Sequence, residues 1–348
     1  MDRTNLLGMT IEELKEFAVG MGEKPFRGKQ LFKWISRGVT DFDEMTDFSL
    51  GFRAKLHESA YIGTVKVIEE QVDHKDGTRK FLFALEDGNA VEGVFMKYHY
   101  GNSICISSQV GCRMGCVFCA SGLDGLIRNL TAGEMLGQIM EAERVTGESV
   151  NHIVVMGTGE PFDNYEELGK FLRLIHEPQG RNLSYRNITV STSGIIPVMK
   201  MFAQDFPQVN LAISLHRVTD EGRSKLMPVN KAYHLDDLIE AAREHTEITG
   251  RRITFEYALI SGENDSDEDV NKLINLLKNI LCHVNLIPLN SVEETGLSGT
   301  SRKRAEYIAK TLENGGIPCT VRREMGAEID GACGQLRLKT HTKTVDVI

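Results

Sequence analysis

Three cysteines stand close together in a glycine-rich segment of the chain. Cys112, Cys116 and Cys119 are separated by three and then two residues, and they directly follow a strand-like run. Three thiolates at this spacing can bind three irons of a [4Fe–4S] cube. Because the segment lacks a fourth cysteine at a matching spacing, one iron would stay open to an external ligand, which is what a catalytic metal needs.

Two other interpretations of these cysteines remain open at this point. A zinc site would use the same thiolates but would need a fourth ligand nearby. Cysteines are also common in apolar interiors, where they cluster by chance. The position of the segment, in a loop after a strand, favours the iron–sulfur cluster.

Polar and glycine residues follow several other strand-like runs. Gly159 and Glu160 stand in a glycine-rich turn after a buried run, where glycine allows close approach to a ligand and the carboxylate could accept from an ammonium group. Further groups that could hydrogen-bond a nucleoside or a carboxylate are Ser191, Ser214, Leu215, His216 and Asn290. Taken singly, such residues are more typical of helix caps, turns and structural histidines.

The elements that must position these residues alternate between strand and helix from about residue 100. Strand-like runs cover 104–108, 152–156, 188–191, 209–215, 253–260, 284–288 and 318–322, with helix-like stretches between them, for example 132–145, 165–175, 235–246, 268–280 and 302–314. This alternation predicts an α/β fold whose functional residues gather at the carboxyl ends of parallel strands. Eight repeats do not fit, so we expect an incomplete barrel of the (β/α)6 type.

The first ninety residues have a different pattern. Thr10 and Glu13 form a capping box before a short helix, and 30–35 suggests a second helix. Residues 63–84 alternate apolar and polar side chains around an Asp-Gly turn, which predicts a hairpin. We therefore predict a helical accessory domain with a short antiparallel sheet over 1–90 and a catalytic domain over 91–348.

The composition narrows the class of protein. The chain has 348 residues and a net charge of -9, and it contains no apolar run long enough to cross a bilayer and no signal peptide. We therefore expect a cytoplasmic protein without membrane contact and without stable disulfides. The acidic charge argues against a protein that coats nucleic acid, although basic residues cluster over 24–37.

Four cysteines remain outside the glycine-rich segment. Cys282 and Cys319 stand within or beside apolar runs, where an inert buried thiol is the expectation. Cys105 lies seven residues before Cys112, and Cys333 lies in a run of small residues near the end of the sequence that suits an active-site loop. Their residue type alone leaves them open between buried thiols and catalytic thiols.

The cysteine spacing resembles the signature of the radical S-adenosylmethionine (SAM) superfamily. That resemblance implies that the open iron binds the amino and carboxylate groups of SAM and that an electron then cleaves SAM to a 5′-deoxyadenosyl radical. It also implies that Gly159 and Glu160 hold the SAM amino group. The implied SAM contacts include the other strand-end residues, namely Ser191, Ser214, Leu215, His216 and Asn290.

A closer resemblance covers nearly the whole chain. The order and spacing of the segments 125–130, 156–161, 191–194, 214–216, 285–288 and 330–336 are similar to those of the RlmN/Cfr family of RNA adenine methyltransferases. The segments 23–27 and 42–47 look like the accessory domain of that family. The combination is much more specific than any one of these segments.

The family resemblance implies a reaction that uses two SAM molecules per turnover. The first methylates a cysteine thiolate, which by position is Cys333. The second yields the radical that activates this methyl group for addition to the adenine ring. By position, Cys105 then releases the product through a transient disulfide with Cys333, and Glu92 accepts the ring proton.

The same resemblance implies the substrates: an adenine of 23S rRNA in the peptidyl-transferase centre and one beside the anticodon of tRNA, both methylated at C2. It also implies a reductant such as flavodoxin or ferredoxin, and we expect a monomer. Basic segments that could contact RNA are 24–37, 302–304 and 322–323.

Three alternatives stay open. The first is Cfr-type methylation at C8, which gives ribosomal antibiotic resistance. The second is a radical SAM enzyme acting on a protein or a small molecule. The third is a non-enzymatic metal-binding module.

Overall fold

The computed structural model describes residues 3–289, 296–323, 325, 326 and 329. Its N-terminal part contains three helices and a two-stranded parallel pair. These elements are β1 Thr4–Asn5, α1 Ile11–Gly20, α2 Phe26–Ser36, α3 Leu50–Ser59 and β2 Ala60–Tyr61. The predicted capping box is present at the start of α1, where Thr10 and Glu13 exchange hydrogen bonds.

A ten-stranded sheet forms the centre of the fold. Its first four strands are antiparallel neighbours: β3 Lys66–Val72, β4 Arg79–Ala84, β5 Ala90–Tyr98 and β6 Gly101–Ile106. The strands that continue it in parallel from β6 are β9 His152–Val155, β10 Ile188–Thr192, β11 Asn210–Ser214, β12 Ile253–Leu259, β13 Cys282–Pro288 and β14 Cys319–Val321. A separate antiparallel pair, β7 Gln109–Gly111 and β8 Leu126–Asn129, holds the loop between β6 and the next helix.

Helices connect the successive parallel strands. They are α4 Ala132–Thr146, α5 Tyr165–His176, α6 Ile196–Asp205, α7 Asp220–Leu226, α8 Leu235–Thr249, α9 Asp267–Leu277 and α10 Arg302–Asn314. Between β6 and β14 there are thus six strand–helix units, and the described strands leave β3 and β14 as the two ends of the sheet. The predicted incomplete (β/α)6 barrel is confirmed.

The N-terminal helices are joined to the barrel through close backbone contact. Gly8 has a φ of +85°, and a Cβ on it would lie 2.4 Å from the backbone nitrogen of Gly133 in α4. Only glycine fits such an approach in a left-handed conformation. Lys170 on α5 also forms an ion pair of 2.7 Å with Glu13 on α1.

The predicted hairpin is also confirmed, since β3 and β4 pair across the Asp-Gly turn. It is not a separate sheet, however, because β5 joins it to β6 and so to the barrel strands. The predicted domain boundary near residue 90 falls between β4 and β5, two adjacent strands of one sheet. In the described part of the chain, no helix is both long and apolar enough to cross a membrane.

Candidate active site

A cavity of about 620 Å³ opens at the carboxyl ends of the parallel strands. The sequence-predicted residues that line it are Cys105, Cys112, Cys116, Cys119, Gly159, Glu160, Ser191, Ser214 and His216. These side chains are spread over more than a hundred residues of sequence, and the parallel strands bring their ends together. The cavity is therefore the candidate active site.

The loop with three cysteines is held in place by its backbone. It begins at Gly111, whose φ is +77° and where a Cβ would lie 2.0 Å from the carbonyl oxygen of Gly125. The Cys112 N–H donates to that same carbonyl at 2.9 Å, and the Val117 N–H donates to the Leu226 carbonyl of α7 at 3.0 Å. The loop is thus held both by Gly125, which directly precedes β8, and by Leu226 of α7.

The electrostatics of the three thiols favour a bound cation. Burial, with Cys119 and Glu160 nearby, raises the pKa of Cys112 to about 12, and burial with the other two thiols raises that of Cys116. A buried group that is hard to ionise alone becomes a good metal ligand when the metal supplies the compensating charge. The residues present therefore fit a metal centre with thiolate ligands.

The spacing of the sulfurs distinguishes the kinds of metal centre. Within the described part of the chain, the three cysteines do not form a set of ligand atoms that all lie within 4.8 Å of one another. Convergence of that kind is needed to share one zinc ion, whereas in a [4Fe–4S] cube each thiolate binds its own iron. The donor set fits a cube better than a single ion.

Glu160 is a buried carboxylate in the wall of the cavity. It is 3% exposed, and it accepts hydrogen bonds from the backbone N–H groups of Ser193 at 2.7 Å and Phe162 at 3.1 Å. Burial raises the pKa of its carboxyl, while these hydrogen bonds lower it. An ammonium group in the cavity would stabilise the ionised form, so Glu160 suits the amino group of SAM.

Gly159 lets this carboxylate segment pass close to the neighbouring strand. Its φ is +112°, and a Cβ on it would lie 2.6 Å from the Cβ of Gln109. Gln109 in turn accepts from the Glu160 N–H at 2.8 Å. The glycine is thus required by both its conformation and its surroundings.

The ends of β10 and β11 supply the remaining predicted SAM contacts. Ser191 and Ser214 are partly exposed to the cavity, while the Leu215 side chain is fully buried. His216 has a φ of +57°, and its Nδ1 accepts from the Ala258 N–H at 2.9 Å. Burial, with Arg223 nearby, lowers the pKa of His216 to about 3, so its imidazole stays neutral. Asn290 lies outside the described residues.

Two of the three predicted methyl-transfer residues lie on the antiparallel strands β5 and β6. Cys105 on β6 is 8% exposed and lies in the cavity wall. Glu92 on β5 is 3% exposed and is not among the cavity-lining residues. Cys333 lies outside the described residues. Cys282 and Cys319 are buried in the main hydrophobic core, as expected.

Nothing in the sequence indicated that two basic residues near this site are buried. Arg223, in a polar stretch that resembles an exposed helix, is fully buried and donates to the carbonyls of Ser193 at 2.6 Å and Ser214 at 3.0 Å. Lys80 is fully buried beside Glu92. Their burial becomes apparent only from the way in which strands and loops that are distant in sequence pack together.

Two family models match the chain. Residues 4–62 match the N-terminal domain of ribosomal RNA large subunit methyltransferases, and residues 106–274 match the radical SAM superfamily. The second match contains the three-cysteine loop and Glu160. The superfamily uses a [4Fe–4S] cluster and SAM, in agreement with the donor set and the buried carboxylate.

Proteins similar to this chain match it over almost its whole length. A protein of Alkaliphilus oremlandii, named a probable dual-specificity RNA methyltransferase RlmN, is 52% identical over 97% of this chain and 99% of its own. A protein of Geobacillus kaustophilus with the same name is 50% identical over 96% of this chain and 93% of its own. The crystal structure of a radical SAM methyltransferase from Sphaerobacter thermophilus superposes with a TM-score of 0.90 at 43% identity, covering 95% of this chain and 98% of that one. The chain therefore belongs to the RlmN family of radical SAM methyltransferases.

Proposed function

We propose that this protein methylates C2 of an adenine in 23S rRNA and of an adenine beside the anticodon of tRNA, in the cytoplasm. The observation that carries the proposal is the position of Cys105. It supplies a fourth cysteine to a cavity whose other three cysteines suffice for the cluster. A thiol there has no role in binding iron, but it has one in releasing a product held on another cysteine.

The division of work among the residues follows from their chemistry. Cys112, Cys116 and Cys119 hold the cluster, and Glu160 orients the amino group of SAM. When bound, the cluster and SAM supply an electron and a 5′-deoxyadenosyl radical, which is chemistry that no side chain can provide. The electron comes from a reductant of the flavodoxin or ferredoxin kind.

A cysteine is needed because C2 of adenine is not nucleophilic and does not accept a methyl group by direct displacement. A thiolate is a good nucleophile and can take the methyl group from SAM first. In the proposal Cys333 carries the methyl group, Cys105 attacks the Cys333 sulfur to release the product, and Glu92 accepts the C2 proton.

The basic residues that support RNA binding are exposed. On α2 and next to its two ends, Lys24, Lys29, Lys33 and Arg37 are exposed, and Phe26 on the same helix is 48% exposed. Arg322 and Arg323 are exposed and also line the cavity. Cations and an aromatic ring suit phosphates and an unstacked base.

The segment 302–304 is a weaker candidate for RNA contact. Arg302 forms an ion pair with Glu306 at 2.9 Å, and Arg304 forms one with Asp267 at 2.7 Å. Charges that are already paired within the protein contribute less to phosphate binding than free ones. We therefore assign RNA contact to α2 and to the two arginines at the cavity, in a monomeric enzyme.

Nucleoside analysis tests the proposal. The anaerobically reconstituted protein would be incubated with SAM, a reductant, and rRNA and tRNA from cells that lack the enzyme, and the digested RNA would be analysed by mass spectrometry. We expect 2-methyladenosine from both RNAs. Production of 8-methyladenosine alone would replace the C2 assignment by the C8 reaction, and no methyladenosine would overturn the RNA substrate.

The variant Cys333→Ala provides the control within this experiment. We expect it to make no methyladenosine while it still binds four irons. Unchanged turnover would point to a radical SAM enzyme that does not carry methyl groups on cysteine.

A further inference from the structure

Glu256 is a buried carboxylate in the wall of the cavity to which the proposed reaction gives no role. It lies on β12, is 7% exposed, and is among the residues that line the cavity. Its Oε2 accepts a hydrogen bond from Nδ2 of Asn285 on β13 at 2.8 Å. A carboxylate can accept about four hydrogen bonds, so this contact leaves most of its capacity unused.

The second oxygen of Glu256 is available to a ligand. Oε1 has no hydrogen bond or ion pair to a described residue, and it is not one of the fully buried polar atoms that lack a partner. It is therefore open to the cavity. An acceptor in a buried site is costly when it has no donor, so a donor group of a bound ligand is the partner that this oxygen needs.

Strand register places Glu256 in a row of polar residues that crosses the sheet. Ser214 on β11 is opposite Glu256 on one side, and Asn285 is opposite it on the other. Asn285 is in turn opposite Thr320 on β14, two residues before Arg322. Residues opposite each other on neighbouring strands point to the same face of the sheet. The row thus leads from a predicted SAM contact to an arginine that also lines the cavity.

The surroundings of Glu256 favour a ligand that donates hydrogen bonds. Burial raises the pKa of the Glu256 carboxyl, while the hydrogen bond from Asn285 and the nearby Arg322 lower it. Because the pKa stays raised, the protein alone compensates the carboxylate charge only in part. An amino or hydroxyl group in the cavity would supply the missing donor, whereas a carbonyl oxygen at the same place would be repelled.

We propose that Glu256 selects the target base of the RNA by accepting a hydrogen bond from the 6-amino group of adenine. This inference rests on the function proposed above. A base that is flipped into a pocket is read by hydrogen bonds to its edge. Guanine carries a carbonyl oxygen where adenine carries the amino group, so an acceptor at this position admits adenine and rejects guanine.

The adenine of SAM carries the same amino group, but the position of Glu256 favours the RNA base. The row of polar residues ends beside Arg322, to which RNA contact is assigned. Glu160, which suits the amino group of SAM, follows β9, three strands away from β12 in the sheet. Glu256 therefore lies towards the arginines of the cavity and away from that end of the cofactor.

The test changes the RNA and the protein together. A tRNA substrate would be assembled by ligation with either adenosine or purine riboside at the target position, and purine riboside lacks only the 6-amino group. The preference is the ratio of kcat/KM for the two RNAs, measured by mass spectrometry of the methylated nucleosides. In Glu256→Met, which has no oxygen on this side chain, we expect the preference for adenosine to be about 10- to 100-fold smaller than in the wild type.

Comparing the preference between proteins isolates the contact. Any difference in the reactivity of the two rings is the same for every variant, and a misfolded fraction lowers both rates equally. Glu256→Gln keeps an acceptor oxygen and should retain part of the preference. Glu141→Met on α4 is the matched control, because Glu141 is also 7% exposed but does not line the cavity. It should keep the wild-type preference even if its stability falls.

Titration calorimetry with SAM, in the absence of a reductant, distinguishes the RNA base from the cofactor. Glu256→Met should bind SAM with the affinity of the wild type. An unchanged preference for adenosine in Glu256→Met would overturn the proposal, and a weaker SAM affinity alongside it would assign Glu256 to the cofactor. If the wild-type protein makes no 2-methyladenosine on the adenosine RNA, the proposed function fails instead.

Discussion

The two sides of the cavity are built on different principles. On the parallel side, Ser191 and Ser214 lie at the carboxyl ends of β10 and β11, and Glu160 lies in the loop that follows β9. On the antiparallel side, Cys105 lies within β6, Glu92 lies on the adjacent strand β5, and Lys80 lies on β4, one strand further from β6. Strand ends and the loop after β9 form the first side, and residues brought together by cross-strand register form the second.

This difference separates two tasks. The parallel side offers backbone amides, a carboxylate and small polar groups, which suit a cofactor that must bind in one orientation. The antiparallel side offers a thiol beside a buried ion pair, which suits proton and sulfur chemistry on a substrate. Substitutions on the parallel side should therefore remove the cofactor chemistry altogether. Substitutions on the antiparallel side should leave SAM cleavage intact but abolish formation of the methylated product.

The largest effect is expected from a direct comparison of two cysteines. Cys116→Ala should abolish both SAM cleavage and methylation, because the cluster loses a ligand. Cys105→Ala should reduce methylation at least about 1000-fold, as for a lost nucleophile, while it keeps the iron and cleaves SAM. Both would be followed by iron analysis and by chromatography of 5′-deoxyadenosine. Cys282→Ala, in the core, is the control, and loss of SAM cleavage in Cys105→Ala would break the division between the two sides.

A somewhat smaller effect is expected at Arg223, which joins the loops of the parallel side. Its guanidinium bonds the Ser193 and Ser214 carbonyls and, through Nη1, Asn230 at 2.9 Å. Arg223→Met should lower the free energy of unfolding by about 3 kcal/mol, because buried acceptors lose a charged donor. Urea unfolding would measure this loss, with Arg243→Met on α8, whose side chain is 44% exposed, as the control. A loss below about 0.5 kcal/mol would mean that these segments keep their conformation without the Arg223 guanidinium.

The next effect concerns cofactor affinity. Glu160→Gln removes a charge that faces the SAM amino group, and we expect SAM binding to weaken by about 2 kcal/mol, or roughly 30-fold. Anaerobic titration calorimetry of the reconstituted protein would measure this. Glu86→Gln, which changes an exposed carboxylate, should bind SAM as the wild type does. Equal affinity in both variants would remove Glu160 from the binding site.

Much of the parallel side was predictable from the sequence. The three-cysteine spacing, the Gly-Glu turn and the strand-end serines are local patterns, and alternating strands and helices imply that such ends meet. The six strand–helix units followed from the same periodicity. The periodicity did not predict that β5 pairs with β6, and this pairing joins the predicted hairpin to the barrel sheet.

The burial of Lys80 and Arg223 could not be predicted either, and the reason is the same. A lysine in a strand and an arginine in a polar helix are ordinarily exposed. Their burial depends on which strands and loops face them, and cross-strand register is not written in any local segment. The family resemblance did assign Glu92, but it gave no indication of the cation beside it.

The smallest effect concerns the scaffold behind the parallel side. His245 on α8 is 3% exposed, its ring stacks near Phe202, and burial lowers its pKa from 6.5 to about 4. Between these two values the unfolded chain binds a proton that the folded chain does not, so acid favours unfolding. Stability from this group is complete above about pH 6.5 and falls by about 1 kcal/mol per pH unit as the pH drops towards 4.

Urea unfolding of wild type and His245→Leu at pH 7, 6 and 5 would test this. The variant cannot take up the proton, so its stability should fall less steeply, and the difference between the two proteins should shift in its favour at pH 5. His99→Leu removes an exposed imidazole and should keep the wild-type slope. Parallel slopes for wild type and His245→Leu would mean that the acid sensitivity of folding comes from other groups.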